Sequence, residues 1–282
     1  MRLFLLTALT MVAFAANSVL NRMALAGGHI GAGEFGTIRL AAGAVMLAVL
    51  CFALRGGIRL GGPARATGVL ALLAYIYGFS LAYDALDAGL GALIVFAVVQ
   101  LTMFTGAVLT AEALPARRWL GAGLALAGLA WLLWPKGGPV EVSLVHAGFM
   151  TIAGIGWGLY SLAGRKAVDG LQATAANFLI AAPLGLGIGL ALPGAEVAIA
   201  LPGVGLAVLS GAVTSALGYA LWYSILPKLP ASVAAVAQLS APVIAIAGGV
   251  LLLGEVLTLQ IALSSAVVLV GVAISVLPKR RG

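Results

Sequence analysis

Charge is what this sequence has least of. Only 8% of its 282 residues are charged, against about 25% in a soluble globular domain, so an ordinary water-facing surface is excluded. Cysteine is nearly absent too. The single Cys51 lies inside an apolar run, which rules out an intrachain disulfide. Two histidines, His29 and His146, sit near the ends of apolar runs with no cysteine or carboxylate at ligand spacing, so neither a metal nor any other cofactor is expected. No phosphate-binding glycine loop is present, and ATP-driven work by this chain alone is unsupported. The segment GFSLA, residues 78–82, is one residue short of the nucleophile elbow G-x-S-x-G. It lies within an apolar helical run instead of a strand-to-helix turn, so Ser80 is not read as a nucleophile and the chain is not read as an enzyme.

What remains is apolar: 63% of the residues are hydrophobic. Runs long enough to cross a bilayer recur at 3–26, 35–54, 66–86, 89–111, 118–135, 144–164, 172–192, 203–227, 231–253 and 257–278. The pattern predicts an all-α polytopic membrane protein with ten transmembrane helices, whose first partner is the lipid bilayer. The longest polar break, residues 55–66, is too short for a soluble domain. In a soluble chain a net charge of +7 would point to nucleic acid, but the basic residues here flank the apolar runs. Twelve of the fifteen lie at the termini and even-numbered loops; the exceptions are Arg22, Arg39 and Lys136. Such a bias marks the cytoplasmic side. Both termini are therefore expected in the cytoplasm, with no nucleic-acid partner.

One offset recurs among the rare residues. Ser18 and Arg22 match Ser161 and Arg165, Glu112 matches Glu255, and Pro135-Lys136 matches Pro278-Lys279, each pair 143 positions apart. Two five-helix units, residues 1–136 and 144–279, follow. Five is odd, so the second unit enters the membrane from the opposite side. This inverted-topology repeat is an architecture of secondary transporters, in which one half rocks against the other in alternating access. The repeat also settles the N-terminus. The apolar run and the triplet Ala13-Phe14-Ala15 look like a signal peptide with its cleavage site, yet the second unit keeps the same element as GIGWGLYSLAGRK, residues 154–166. The first run is accordingly read as a retained helix.

The stretches SAPVIAIAGGVLLLGEVLTLQIALSSAVVLVGVAI (240–274) and TAEALPARRWLGAGLALAGLAWLL (110–133), each with a glutamate closing the fourth helix of its half, resemble the drug/metabolite transporter superfamily, EamA-type branch. Pro242, thirteen residues before Glu255, and Arg39 also fit that pattern. Departures are Val99, where the proline matching Pro242 would stand, and Ala182, where Arg39 would recur. Within the superfamily the chain looks most like the bacterial YddG-type exporters of aromatic and neutral amino acids. The resemblance implies a multi-pass protein of a bacterial inner membrane, and a central cavity between helices 1, 3, 4, 6, 8 and 9.

Helical spacing selects candidate substrate-binding residues on those helices, because polar groups in a bilayer face the bundle interior. They are Asn17 and Asn21 in the first span; Tyr75, Phe79 and Tyr83 at i, i+4, i+8 in the third; Phe96 and Gln100 in the fourth; Trp157 and Tyr160 in the sixth; Tyr219 and Trp222 in the eighth; and Gln238 in the ninth. Phe14 shares the face of Asn17 and Asn21. Arg22, Arg165, Glu112 and Glu255, at span ends, are read as gate or structural residues. Arg39 lies five residues into its run, shallow enough to snorkel to the interface, which leaves no basic residue deep in the cavity helices. Small-residue stripes at GAGLALAG in span 5 and at Gly271 in span 10 permit close helix contact, either within the chain or in a homodimer. The expected activity is export of small neutral metabolites, amino acids with aromatic side chains foremost, down their own gradient. A multidrug or other metabolite carrier of the same fold, and proton coupling, are the alternatives.

Overall fold

With no water in the bilayer core, every backbone N–H and C=O must be paired within its own segment, which leaves the helix as the way for such apolar runs to cross. The computed structural model describes residues 2–62, 64–109, 116–134, 142–164, 167–192, 197–225, 228, 237–238 and 240–276, and all regular structure among them is helical. The helices are α1 (Arg2–Ala26), α2 (Ala32–Arg55), α3 (Arg65–Ala82), α4 (Ala88–Leu109), α5 (Ala116–Leu132), α6 (Leu144–Gly164) and α7 (Gly170–Ala191). Next, Leu201–Val208, a π-helical Leu209–Leu217 and Gly218–Ile225 run on as α8, followed by α9 (Ser240–Leu253) and α10 (Leu259–Val276). Six of them, α1 to α4, α7 and α8, are long and apolar enough to cross a membrane, and α9 and α10 are shorter apolar helices. Their hydroxyls are satisfied locally: Thr7, Thr10, Thr102 and Ser161 each donate to the carbonyl four residues back.

The packing obeys the repeat. α3 lies on α6, α5 on α10, α2 on α7 and α4 on α9, while α1 packs on α8 and α9 and α6 packs on α3 and α4. Exchanging α1–α5 with α6–α10 maps each of these contacts onto itself or onto another. Polarity follows suit. Arg22 at the close of α1 meets the α3–α4 and α9–α10 connections, and the Ala200 N–H before α8 donates to the His29 carbonyl after α1. These connections share the far end of the bundle. At the near end Arg55, closing α2, pairs with Asp169 before α7. Since α1 ends at the far end and α6 at the near one, the two halves run in opposite senses. The protein is an all-α polytopic membrane protein built from two inverted five-helix halves.

Close approach depends on glycine. A Cβ on Gly78 would meet the Phe149 carbonyl of α6 at 2.7 Å, and one on Gly156 would meet the Ala71 carbonyl of α3 at 2.7 Å. The stripes in α5 and α10 serve the same purpose within the chain, as a Cβ on Gly271 would lie 2.6 Å from the Ala125 nitrogen. Outward-facing positions such as Phe4, Val45, Leu109, Trp119, Leu190 and Leu251 are exposed large apolar side chains, as a lipid-facing perimeter requires.

At the near end Asp169 caps α7, accepting the N–H groups of Leu171 at 3.0 Å and Gln172 at 3.2 Å, and pairs with Arg55 at 2.6 Å. Burial pushes its carboxyl up, but the Arg55 hydrogen bond and the capped N–H groups hold it below the usual aspartate value. A carboxylate stabilised in this way contributes fully at neutral pH and loses its contribution as pH falls through the native value. Asp169→Ala is therefore expected to lower stability at pH 7 by about 1 kcal/mol, the usual cost of a lost cap. In detergent, the gap in Tm between wild type and variant should narrow as the pH drops below the carboxylate range; a gap independent of pH would contradict this account.

Candidate functional site

Between the halves lies a narrow cavity lined by Phe14, Asn17 and Ser18 of α1, Tyr75 and Phe79 of α3, Val95, Phe96 and Val99 of α4, Trp157 of α6 and Tyr219 of α8. Its volume is about 20 Å³, room for roughly one water and far below the 300 Å³ or more of a small-molecule site. Aromatic rings fill the space instead. Trp157 lies 4.9 Å from Tyr75, 4.8 Å from Tyr219 and 6.4 Å from Phe14, and it stacks on Tyr160 at 5.5 Å with 23° between the planes. Phe14 also meets Trp222 edge-on at 5.9 Å, and Phe79 meets Tyr83 at 4.7 Å.

The offset of the repeat explains this cluster. Phe14 and Trp157 are counterparts (157 − 14 = 143), as are Phe79 and Trp222 (222 − 79 = 143). Counterparts that touch, as Phe14 and Trp157 do, place the cavity on the axis relating the halves. A binding site there is shared by both halves and is the natural pivot for their relative motion.

Behind the aromatic wall runs a buried polar chain. The π-helical stretch of α8 adds a residue per turn, a distortion frequent at functional sites, and Ser210, Thr214 and Ser215 all come from it. Asn17 Oδ1 accepts from Ser210 at 2.8 Å, from Thr214 at 2.5 Å and from Ser215 at 3.4 Å. Ser215 in turn accepts from Nε of Arg39 at 3.1 Å, and Nη2 of Arg39 donates to the Tyr75 hydroxyl at 3.1 Å. The guanidinium carbon lies 5.2 Å from the Tyr75 ring centre and 5.0 Å from that of Phe79. α8 comes this close because position 211 is glycine: a Cβ there would run into the Arg39 carbonyl.

Of the residues selected from sequence, Asn17, Tyr75, Phe79, Phe96, Trp157 and Tyr219 line the cavity, with Tyr83 in ring contact with Phe79, Tyr160 with Trp157, and Trp222 with Phe14, which also lines it. Gln100 and Gln238 do not reach it. They line a separate cavity of about 10 Å³ with Pro242 and Val268, divided from the first by Phe96, which borders both. Asn21 is fully buried, and its amide has no hydrogen-bond partner among the described residues. Arg39 does not snorkel. It is 0% exposed, so the expectation of no basic residue near the centre is corrected. Ser210, Thr214 and Ser215 were missed as well; their signal is a cluster of three hydroxyls within one otherwise apolar span.

At the far end Arg22 donates to the carbonyls of Tyr83 at 3.2 Å and Asp84 at 3.0 Å and lies 3.6 Å from Asp87 and 4.0 Å from Glu255. Glu255 receives the N–H of Ala88 at 2.6 Å and of Gly89 at 3.4 Å. It thereby caps α4, a helix of the other half, and does not merely brace its own turn. Burial raises its carboxyl above the usual value, partly offset by the Ala88 N–H. These bonds join α1, the α3–α4 connection and the α9–α10 connection at the far end of the bundle. Glu112 and Arg165 lie outside the described residues.

Residues 146–277 match the EamA-like transporter family. The second half of the chain is thus a domain of the EamA-like transporter family. An uncharacterized protein of Pseudomonas aeruginosa is 45% identical to this EamA-like chain over 282 residues, covering 99% of it and 96% of the relative. A protein crystal structure shares the fold with a TM-score of 0.67 at 20% identity, over 97% of this chain and 98% of that one. The EamA-like family is one of membrane transporters of small metabolites within the drug/metabolite transporter superfamily, and this chain is such a multi-pass protein.

If Asn17 Oδ1 ties α1 to α8, Asn17→Ala removes the acceptor of three buried hydroxyls. At roughly 0.6–2 kcal/mol for each hydrogen bond lost within a membrane, unfolding in detergent should shift measurably, and by more than for Ser210→Ala alone. Equal shifts for the two variants would show that Asn17 is not the tie.

Proposed function

We propose that this transporter is a secondary exporter of small neutral metabolites, foremost amino acids with aromatic or large apolar side chains. It works by alternating access in a bacterial inner membrane with both termini in the cytoplasm, its halves being residues 1–136 and 144–279. The observation that carries this reading is the aromatic cavity on the axis between the halves. Flat apolar walls contributed by both halves suit a flat or bulky apolar side chain, and α1 supplies polar groups for the amino-acid head. The narrow cavity fits an occluded or resting state, from which separation of α1 and α3 from α6 and α8 would open a chamber. No carboxylate is among the cavity-lining residues, which supports export down the substrate's own gradient over a proton relay at the site. Arg22 and Glu255 act as the closure of the far end. Arg165 and Glu112 are their counterparts by the repeat.

Uptake of labelled tryptophan, phenylalanine, methionine, lysine and a nucleotide sugar into proteoliposomes, with and without a pH gradient, tests this. Saturable uptake of the three neutral amino acids without a gradient is expected. Trp157→Ala and Trp222→Ala should each lower transport about tenfold, equivalent to about 1.4 kcal/mol, without loss of folded protein. Uptake of lysine or the nucleotide sugar in their place would refute the substrate class, and uptake only under a pH gradient would refute the uncoupled mechanism.

A further inference from the structure

Arg39 is a permanent cation, fully buried, and among the described residues no carboxylate pairs with it. The described acidic residues Glu34, Asp84, Asp87, Asp169 and Glu255 occupy helix ends or connections, and those in ion pairs use Arg22 or Arg55. Of the five N–H donors of a guanidinium, one at Nε reaches Ser215 and one at Nη2 reaches Tyr75. Nη1 is buried with no hydrogen-bond partner among the described residues. An arginine buried in the interior of a membrane bundle is costly, and an unmet donor adds to that. Two neutral hydroxyls and two ring faces leave this cation short of an anion.

The position of the group tells which anion. Arg39 stands one layer behind the cavity wall, against Tyr75 and Phe79, and joins Asn17 through Ser215. All three of those neighbours line the cavity. The cavity is too small for any metabolite until these rings move apart, and Tyr75 and Phe79, which line it, are the rings against which the guanidinium lies. A guanidinium fork matches a carboxylate in plane and spacing. One isolated arginine balances one negative charge, whereas a diphosphate would call for several cations. We propose that Arg39 is the carboxylate-binding residue of the chamber and that the transported metabolite is a monocarboxylate, its carboxylate on Nη1 and its side chain among the aromatic rings. The inference rests on the amino-acid exporter reading but narrows it to a chemical group.

Binding to purified wild-type protein in detergent, followed by ligand-induced rise in Tm, separates the possibilities without any variant. The probes are tryptophan, tryptophanamide, tryptamine and indole-3-propionate, which share the ring and differ in the carboxylate and the amine. Tryptophan and indole-3-propionate should bind at least tenfold more tightly than tryptophanamide and tryptamine. Arg39→Gln should abolish that preference, and Arg39→Lys should keep part of it. Equal binding of acid and amide, no carboxylate-dependent binding in the panel, or an unchanged preference in folded Arg39→Gln overturns the assignment. Should indole-3-propionate bind through Arg39 while tryptophan is not taken up by proteoliposomes, the Arg39 site stands and the amino-acid reading fails.

Discussion

One carboxamide oxygen gathers the buried hydrogen bonds that join the two halves behind the cavity. Asn17 Oδ1 on α1 gathers the hydroxyls of Ser210, Thr214 and Ser215 from α8, and Ser215 passes the chain on to Arg39 of α2. In a medium without water these groups have few partners to turn to, the Ser210 carbonyl 3.0 Å from the Thr214 hydroxyl being one. The hydroxyls require the π-helical turn, the turn requires glycine at 211 so that α8 can reach α2, and the guanidinium requires the hydroxyls. Around this chain the apolar packing of α1, α2 and α8 arranges itself, and the aromatic cavity is its inner face.

The cavity and the chain behind it have different symmetry. Two pairs of the rings are counterparts across the repeat, Phe14 with Trp157 and Phe79 with Trp222, while Tyr75 and Tyr219 correspond to Gly218 and Ile76. The polar chain has no such pair. At the offset of 143, Arg39 corresponds to Ala182, and Ser215 to Leu72. A wall shared by both halves thus sits on a polar support from α1, α2 and α8.

Much of the fold was legible in the sequence. Apolar length marks helices, because the bilayer leaves no other way to satisfy the backbone, and charged residues are rare enough for one constant offset to expose the repeat. The aromatic residues of the site were legible from helical spacing, which fixes the face a side chain occupies. Spacing does not fix the neighbour that face meets. Gln100 shares α4 with Phe96, yet falls on the far side of that ring and opens onto another cavity with Gln238. Arg39 was misread because a long stem near a helix end can as easily reach water as the interior, and the partners that draw it inward lie 36 and 176 residues away along the chain. The serine and threonine signal was hidden by its commonness, since hydroxyls in such helices usually donate to their own backbone.

The unequal support has a consequence for the working cycle. Two inverted halves built alike would make the inward-open and outward-open forms mirror images of equal free energy. Here, movement of α8 away from α1 and α2 must break hydrogen bonds to Asn17 and Arg39, whereas the corresponding movement of α3 away from α7 breaks a different set, from Arg65 to the Ala173 carbonyl and Asn177 and from Tyr77 to the Gly185 carbonyl. In the alternating-access cycle proposed above, the two opening movements therefore break different bonds, and the two forms differ in free energy. A free-energy gap of only 1.4 kcal/mol between the two forms is a tenfold bias in their populations, enough for the same site to show different apparent affinities from the two faces of the membrane.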